Sequence, residues 1–348
     1  MKPDEHGRAS PGPAPLSRRA FVQTSGLAIA GALGVSHVPT RRLRAEDDTP
    51  EIPKRVLGRT GEQVSILGLG TALLGHQNNN QPDVEKLVSV FSEAIDRGIS
   101  YVDTARMYGR SEMALAKVLA SRRDRTFLAT KVWATTYDEA KSLFEESLST
   151  LKVDHVDVLH IHNLGGKDVD LVLDDGTPGK GGSWKYLQEC KKAGKARFIG
   201  ITGHQMPAKY VRTLDTGTVD VMMVVMNFVD RSIYNFEGTV LPVARKLGTG
   251  VMAMKVFGGL QGGWGSYRAR SPVPSQMSKE DHQRSVAYVK GLEGVTGMVI
   301  GVHTREQLIE NIRTVTSTAA LSGAELEALA AKGKSLAPKW TARFGPVS

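Results

Sequence analysis

From Ser65 onward the chain alternates with a regularity that few folds accommodate. Short apolar runs with β-branched residues, at 65–70, 100–104, 126–132, 156–162, 198–202, 221–226, 250–255 and 297–302, read as strands. Between and after them lie helix-like stretches of eight residues or more, at 83–97, 111–121, 137–152, 184–193, 207–214, 239–247, 279–291 and 304–317. Eight strand–helix units over about 250 residues fit a (β/α)8 TIM barrel, an α/β fold. An open doubly wound sheet alternates in the same way. Its signature is a Gly-x-Gly-x-x-Gly turn after the first strand, with an acidic residue ~20 positions on. Gly68-Leu69-Gly70-Thr71 offers two glycines and no third.

The first 45 residues break the alternation and are expected to stand outside the fold. Ser17-Arg18-Arg19-Ala20-Phe21-Val22 leads into an apolar, small-residue run at 26–35. A paired arginine ahead of such a stretch resembles a twin-arginine export signal. The run falls far short of the ~20 residues that span a bilayer, so no stable membrane span is expected unless the leader is retained. Leu43-Arg44-Ala45 is a poor cleavage site, and an uncleaved anchor stays open. Passage through the twin-arginine machinery to the periplasm or another extracytoplasmic space is the expectation. An acidic, proline-bearing linker at 46–54 then leads to a barrel over 55–348.

The formal charge of the 348-residue chain is +9, and Cys190 is its one cysteine. The cations are scattered, and no arginine-rich run is interleaved with aromatics. That pattern favours small anionic ligands over nucleic acid. A single cysteine excludes an intrachain disulfide and a cysteine-held metal cluster, and no metal site is expected. Two long glycine-rich loops, at 164–183 and 258–276, leave the C-terminal ends of the fourth and seventh strands. Barrels of this kind place their chemistry on that face, and the loops are expected to act as covers. A final helix is expected over 322–334, with Ser322 as N-cap and Glu325 three residues on.

The chemistry concentrates in Asp103-Thr104-Ala105-Arg106-Met107-Tyr108-Gly109. A carboxylate closes the second strand and a phenol follows five residues later. Lys131 ends the third strand and His162 the fourth. Neighbouring parallel strands lie ~4.8 Å apart, so groups at adjacent strand ends can share one small volume. An ammonium beside a phenol favours phenolate, a carboxylate orients the ammonium, and an imidazole can fix a substrate oxygen. Those parts suit carbonyl reduction, with the phenol giving a proton to oxygen. His160 shares a strand face with His162 by parity, but the strand's last residue is the better placed.

These residues resemble the aldo-keto reductases. Asp103-Thr-Ala-x-x-Tyr108-Gly109, Ala129-Thr-Lys131 and Asp157-Val-Leu-His-Ile-His162 look like that family's catalytic segments. So do the opening Leu57-Gly-x-Thr-Gly61 with Val64-Ser-x-Leu-Gly-Leu-Gly-Thr71, and the closing Gly301-x-x-Thr304-x-x-Gln307-Leu-x-Glu310-Asn311. The resemblance runs in order over residues 55–317 and implies the barrel. It further implies Tyr108 as general acid or base, Lys131 as the group that tunes it, Asp103 as the partner of Lys131, and His162 as the orienter of the carbonyl. The implied cofactor is NADP(H), with NAD(H) not excluded, lying across the strand ends. Gly70, Thr71 and Asp103 would stand at its nicotinamide side. Lys255 would face its pyrophosphate, with Phe257 close by. Gly301, Thr304, Arg305, Gln307, Glu310 and Asn311 would hold its adenosine phosphate.

Three positions depart from the family pattern. The serine and asparagine that grip the nicotinamide carboxamide are replaced by Thr202-Gly203-His204. Met223 stands where a glutamine shares that task, and Met254 where an aromatic ring stacks. Some divergent members read similarly. The expected function is an exported oxidoreductase acting on a small carbonyl, alcohol or sugar, with a tightly held cofactor recycled between two substrates. The rivals are a non-catalytic nicotinamide-nucleotide sensor or auxiliary subunit, and a hydrolase using Asp103 or Asp157.

Overall fold

Eight parallel strands close into a barrel in the order β10-β3-β4-β5-β6-β7-β8-β9. They are β3 (Leu67–Gly70), β4 (Tyr101–Asp103), β5 (Phe127–Val132), β6 (Val156–Ile161), β7 (Ala196–Gly203), β8 (Val221–Val225), β9 (Gly250–Met254) and β10 (Gly297–Gly301). The structure is a computed structural model that describes residues 49–75, 83–174, 176, 181–263, 266 and 273–348. The expected leader, linker residues 46–48 and parts of both long loops lie outside the described residues. All eight expected strands form, and the barrel replaces the open-sheet alternative. Among the described residues no helix is long and apolar enough to cross a membrane.

Strand periodicity sets what faces the interior. Tyr101, Phe127 and Phe198 stack from β4 to β7, with ring centroids 5.5 and 6.2 Å apart. Val158, Val221, Met252 and Val299 continue that inner cluster. Gly68 makes room for the aromatic layer, because a Cβ there would meet the Tyr101 ring and Val299 at 3.1 Å. The outer faces of the strands carry a second and larger apolar set against the helices.

A hairpin that sequence reading passes over seals the N-terminal mouth. β1 (Lys54–Val56) pairs antiparallel with β2 (Gln63–Ser65). Leu57, fully buried, drives into the inner cluster. The turn is held to the barrel floor by the Arg59 N–H donating to the Gly248 carbonyl at 2.6 Å. Strands of three residues show too little alternation to be recognised in advance.

Helix ends follow local chemistry. Asp83 caps Val84–Asp96 by accepting from the Glu85 N–H, and Thr136 with Glu139 forms a capping box ahead of Tyr137–Leu151. The expected helix at 239–247 is instead two, Phe236–Thr239 and Leu241–Lys246. Pro242 lacks an N–H and starts the second of them rather than continuing the first. The last helix runs Gly323–Trp340, past the expected end at 334, because Trp340 is itself buried. Its Gly333 packs onto the segment after β8, where a Cβ would stand 1.8 Å from the Phe228 carbonyl oxygen. Gly333→Ala is therefore expected to lower the urea midpoint, by about 1–3 kcal/mol of stability. A raised midpoint, as helix propensity alone would give, would show that the contact relaxes.

Candidate active site

Asp103 and Lys131 form a buried ion pair at the C-terminal mouth of the barrel. Lys131 Nζ lies 2.6 and 2.7 Å from the two Asp103 carboxylate oxygens and donates to the Thr104 carbonyl at 2.7 Å. Burial pushes the Asp103 carboxyl up and the Lys131 ammonium down from their ordinary values, and each charge offsets the other's shift. Lys255, on the same mouth, adds a field that favours the carboxylate and disfavours the ammonium.

Tyr108 meets this pair from the loop after β4. The Lys131 ammonium sits over its ring, 4.7 Å from the centroid. Its hydroxyl lies 3.5 Å from His162 Nε2, at the outer edge of hydrogen bonding. A carbonyl oxygen lodged between the two would meet both groups. His162 Nδ1 has no hydrogen-bond partner among the described residues. Burial, then the Lys131 charge, holds the His162 pKa well below its usual value, so the ring is neutral.

The loop is fixed from several sides. The Tyr108 N–H donates to the Ala105 carbonyl, and the Ser111 hydroxyl to the Thr71 carbonyl at 2.9 Å. Arg106 pairs with the buried Glu112 at 2.6 Å, and Thr130 on β5 donates to the same carboxylate at 2.9 Å. At Gly75 a Cβ would stand 2.2 Å from the Tyr108 carbonyl oxygen, so only glycine allows this approach.

A cavity of about 1000 Å3 opens above these groups. Of the residues anticipated for it, Gly70, Asp103, Tyr108, Lys131, His162, Thr202, Met223, Met254, Lys255, Phe257, Gly301, Gln307, Glu310 and Asn311 line its wall. Four others stand elsewhere. The Thr71 hydroxyl and N–H both donate to the Asp103 carbonyl, so Thr71 braces the strand end. Gly203 backs onto the Tyr210 hydroxyl, 1.7 Å from where its Cβ would be. Thr304 caps the helix Arg305–Ser317 by accepting from the Gln307 N–H. Arg305 turns to Glu93 on a neighbouring helix, at 2.7 Å, while Arg313 reaches the cavity instead.

Sequence reading missed several lining residues. Trp133 stands two positions after Lys131, just past the end of β5, a spacing that the sequence offered. Asn163 and His204 meet at 3.3 Å from the ends of β6 and β7. Against His204 lies Phe344, ring centroids 5.1 Å apart. Next to it Arg343 makes a bidentate, buried pair with Asp230, at 2.7 and 2.8 Å, and donates to the Gly258 carbonyl. The C-terminal segment thus ties down the loop after β9. Among the described residues no cluster of His, Cys, Asp or Glu is arranged to hold a metal ion.

With this geometry in place, comparison with known proteins is decisive. Residues 66–285 match the Aldo/keto reductase family. The chain belongs to that family. This aldo/keto reductase is 28% identical over 301 residues to L-galactose dehydrogenase of Arabidopsis thaliana, covering 78% of this chain and 90% of the relative. It is 32% identical over 177 residues to D-galacturonate reductase of Fragaria ananassa, covering 44% and 52%. An aldo/keto reductase of Klebsiella pneumoniae, solved in complex with NADP and acetate, shares the fold with a TM-score of 0.62. Its identity is 21%, over 85% of this chain and all of that one. The aldo/keto reductase described here is accordingly an oxidoreductase.

Burial, with nearby cations adding to it, holds a further two histidines neutral, His160 below Lys131 and His204 at the rim. Each gains a proton near pH 6.5 only when the chain unfolds, so the unfolded state binds more protons and stability falls as pH drops below that value. His160→Leu is expected to remove up to about 1.4 kcal/mol per pH unit from this acid slope. Urea midpoints between pH 7.5 and 5 measure it, and an unchanged slope would mean that the native ring already carries the proton.

Proposed function

We propose that the protein is an NADP(H)-dependent oxidoreductase that interconverts a carbonyl and an alcohol on a small aldehyde, ketone or sugar, with Tyr108 as general acid and base. The observation that carries this reading is the Tyr108 phenol, set between the His162 imidazole and the Lys131 ammonium at the cavity floor. The NADP bound in the Klebsiella protein supports the choice of NADP. The names of the Arabidopsis and Fragaria relatives support a sugar-like substrate.

The residues present fit a dinucleotide. The cavity is at the upper end of ligand-pocket sizes. Gly70 and Gly301 lie side by side in its wall, and packing keeps both without side chains that would narrow it, since a Cβ at Gly70 would meet the Gly301 nitrogen at 3.2 Å and one at Gly301 the Leu73 side chain at 2.9 Å. Lys255, Gln307, Asn311 and Arg313 would hold its phosphates and adenosine. When bound, the dinucleotide supplies or accepts the hydride.

In reduction, the substrate oxygen lies between Tyr108 Oη and His162 Nε2. Tyr108 gives its proton to that oxygen, and the Lys131 ammonium stabilises the charge left on the phenol. Asp103 holds Lys131 in place and balances its charge. Oxidation runs the same path backwards, with the phenolate taking the proton from the alcohol. The neutral His162 donates from Nε2 without competing as an acid.

Gly203 and Met223 favour a second reading, a non-catalytic nucleotide sensor, because neither side chain offers an amide to the carboxamide. Tyr108→Phe separates the two. A catalyst loses about 10²–10⁴ in kcat while NADPH affinity stays within a few-fold; a slow rate that does not change supports the sensor.

On the same reading the paired arginines of the leader direct export of the folded protein, and the dinucleotide travels with it and is recycled rather than exchanged. Native mass spectrometry of protein recovered from the exported fraction is expected to show one dinucleotide per chain. Empty protein that takes up added NADPH freely would overturn the retention.

A further inference from the structure

Among the described residues, the Tyr108 site leaves a buried cation unused. Lys167, just past β6, is 6% exposed, and its ammonium rests on the Trp133 ring, 4.6 Å from the centroid. Trp133 in turn meets His162 edge-on, with ring centroids 5.4 Å apart, and lines the cavity. Both residues are in physically expensive settings. A tryptophan is 46% exposed beside a catalytic histidine, and an ammonium is buried with no carboxylate or carbonyl accepting from it among the described residues.

The charges around Lys167 do not resolve this. Glu139 is the acidic group that acts on it, and that carboxylate already accepts from the Thr135 and Thr136 N–H groups. Lys209 adds a second cation, turned toward the Gly165 and Lys167 carbonyls. Burial pulls the Lys167 pKa down to about 8, the response of an ammonium that lacks an anion. Lys167 is not itself in the cavity wall, but it lies near enough for its charge to help lower the His162 pKa, and a cation on an aromatic face is a ready partner for a ligand anion.

We propose that Lys167 and Trp133 form a carboxylate subsite beside the reacting carbonyl, so that the preferred substrates are aldehydes or ketones carrying a carboxylate a few bonds away. This rests on the reading of Tyr108 and His162 as the carbonyl-binding pair. The indole packs against the carbons between the two ends of the substrate, and the ammonium takes the far end. One cation matches a carboxylate monoanion. A phosphate dianion would leave charge unmet, because Lys209 is committed to two carbonyls.

Succinic semialdehyde and butanal share a four-carbon aldehyde chain and differ in the terminal carboxylate, so their ratio of kcat/KM with NADPH isolates the subsite. The wild-type ratio is expected to favour succinic semialdehyde about ten- to a hundred-fold, mostly through KM. Lys167→Met, which keeps an apolar stem on Trp133, should bring the ratio close to one, and Lys167→Arg should retain most of it. The wild-type preference should also fade as pH rises past about 8, where the ammonium loses its proton. A second arm needs no turnover: succinate binding, measured by calorimetry on the wild type and on Lys167→Met. Butanal reduction with no preference for the acid, or a preference that survives Lys167→Met, overturns the subsite. Succinate binding that depends on Lys167 in a protein that reduces neither aldehyde upholds the subsite and overturns the carbonyl-reductase reading.

Discussion

Everything at the mouth of the barrel is arranged around one buried ion pair. Taking a carboxylate and an ammonium out of water costs several kcal/mol for each ion, and their attraction repays this only with close geometry and further hydrogen bonds. Asp103 and Lys131 meet both conditions, through two short contacts and the Thr104 carbonyl. Neither residue is tolerable there without the other, so β4 and β5 are tied in a single register. The Tyr108 ring then rests against a charge whose position the strands dictate.

The frame beneath supplies rigidity. Thr71 holds the end of β4 by its hydroxyl and N–H, and Ser111 reaches back to the Thr71 carbonyl. The buried Glu112 gathers Arg106 from the phenol-bearing loop and Thr130 from β5. Under these sits His160, neutral and fully buried against Gly200, where a Cβ would stand 2.4 Å from the ring. Polar groups packed this deeply fix the directions of their neighbours more than they add stability.

How legible this was from sequence depended on the range of the interactions. Barrel strands are buried on both faces, so all eight announce themselves as apolar runs. Asp103, Lys131 and His162 could be read because each closes such a run. The hairpin was hidden because three-residue strands leave no period, and the break at Pro242 because it lies inside one amphipathic pattern. Arg305 illustrates a different limit: its place in the first helical turn suggested a phosphate ligand, but Glu93 on another helix claims it. Arg343 pairs with a residue 113 positions earlier, and Lys167 becomes notable only once Trp133 and His162 stand beside it. No local pattern encodes such meetings.

The bidentate grip of Arg343 on Asp230 has a consequence for the order of assembly. Arg343 follows every barrel strand in the chain, and contacts between residues far apart in sequence form only after the chain between them is ordered at an entropic cost. The wall beside His204 and the loop held through the Gly258 carbonyl therefore depend on residues beyond the last strand. Because the pair spans 113 residues, fastening that stretch of the rim carries a larger loop-closure cost than the pairing of successive strands around the barrel.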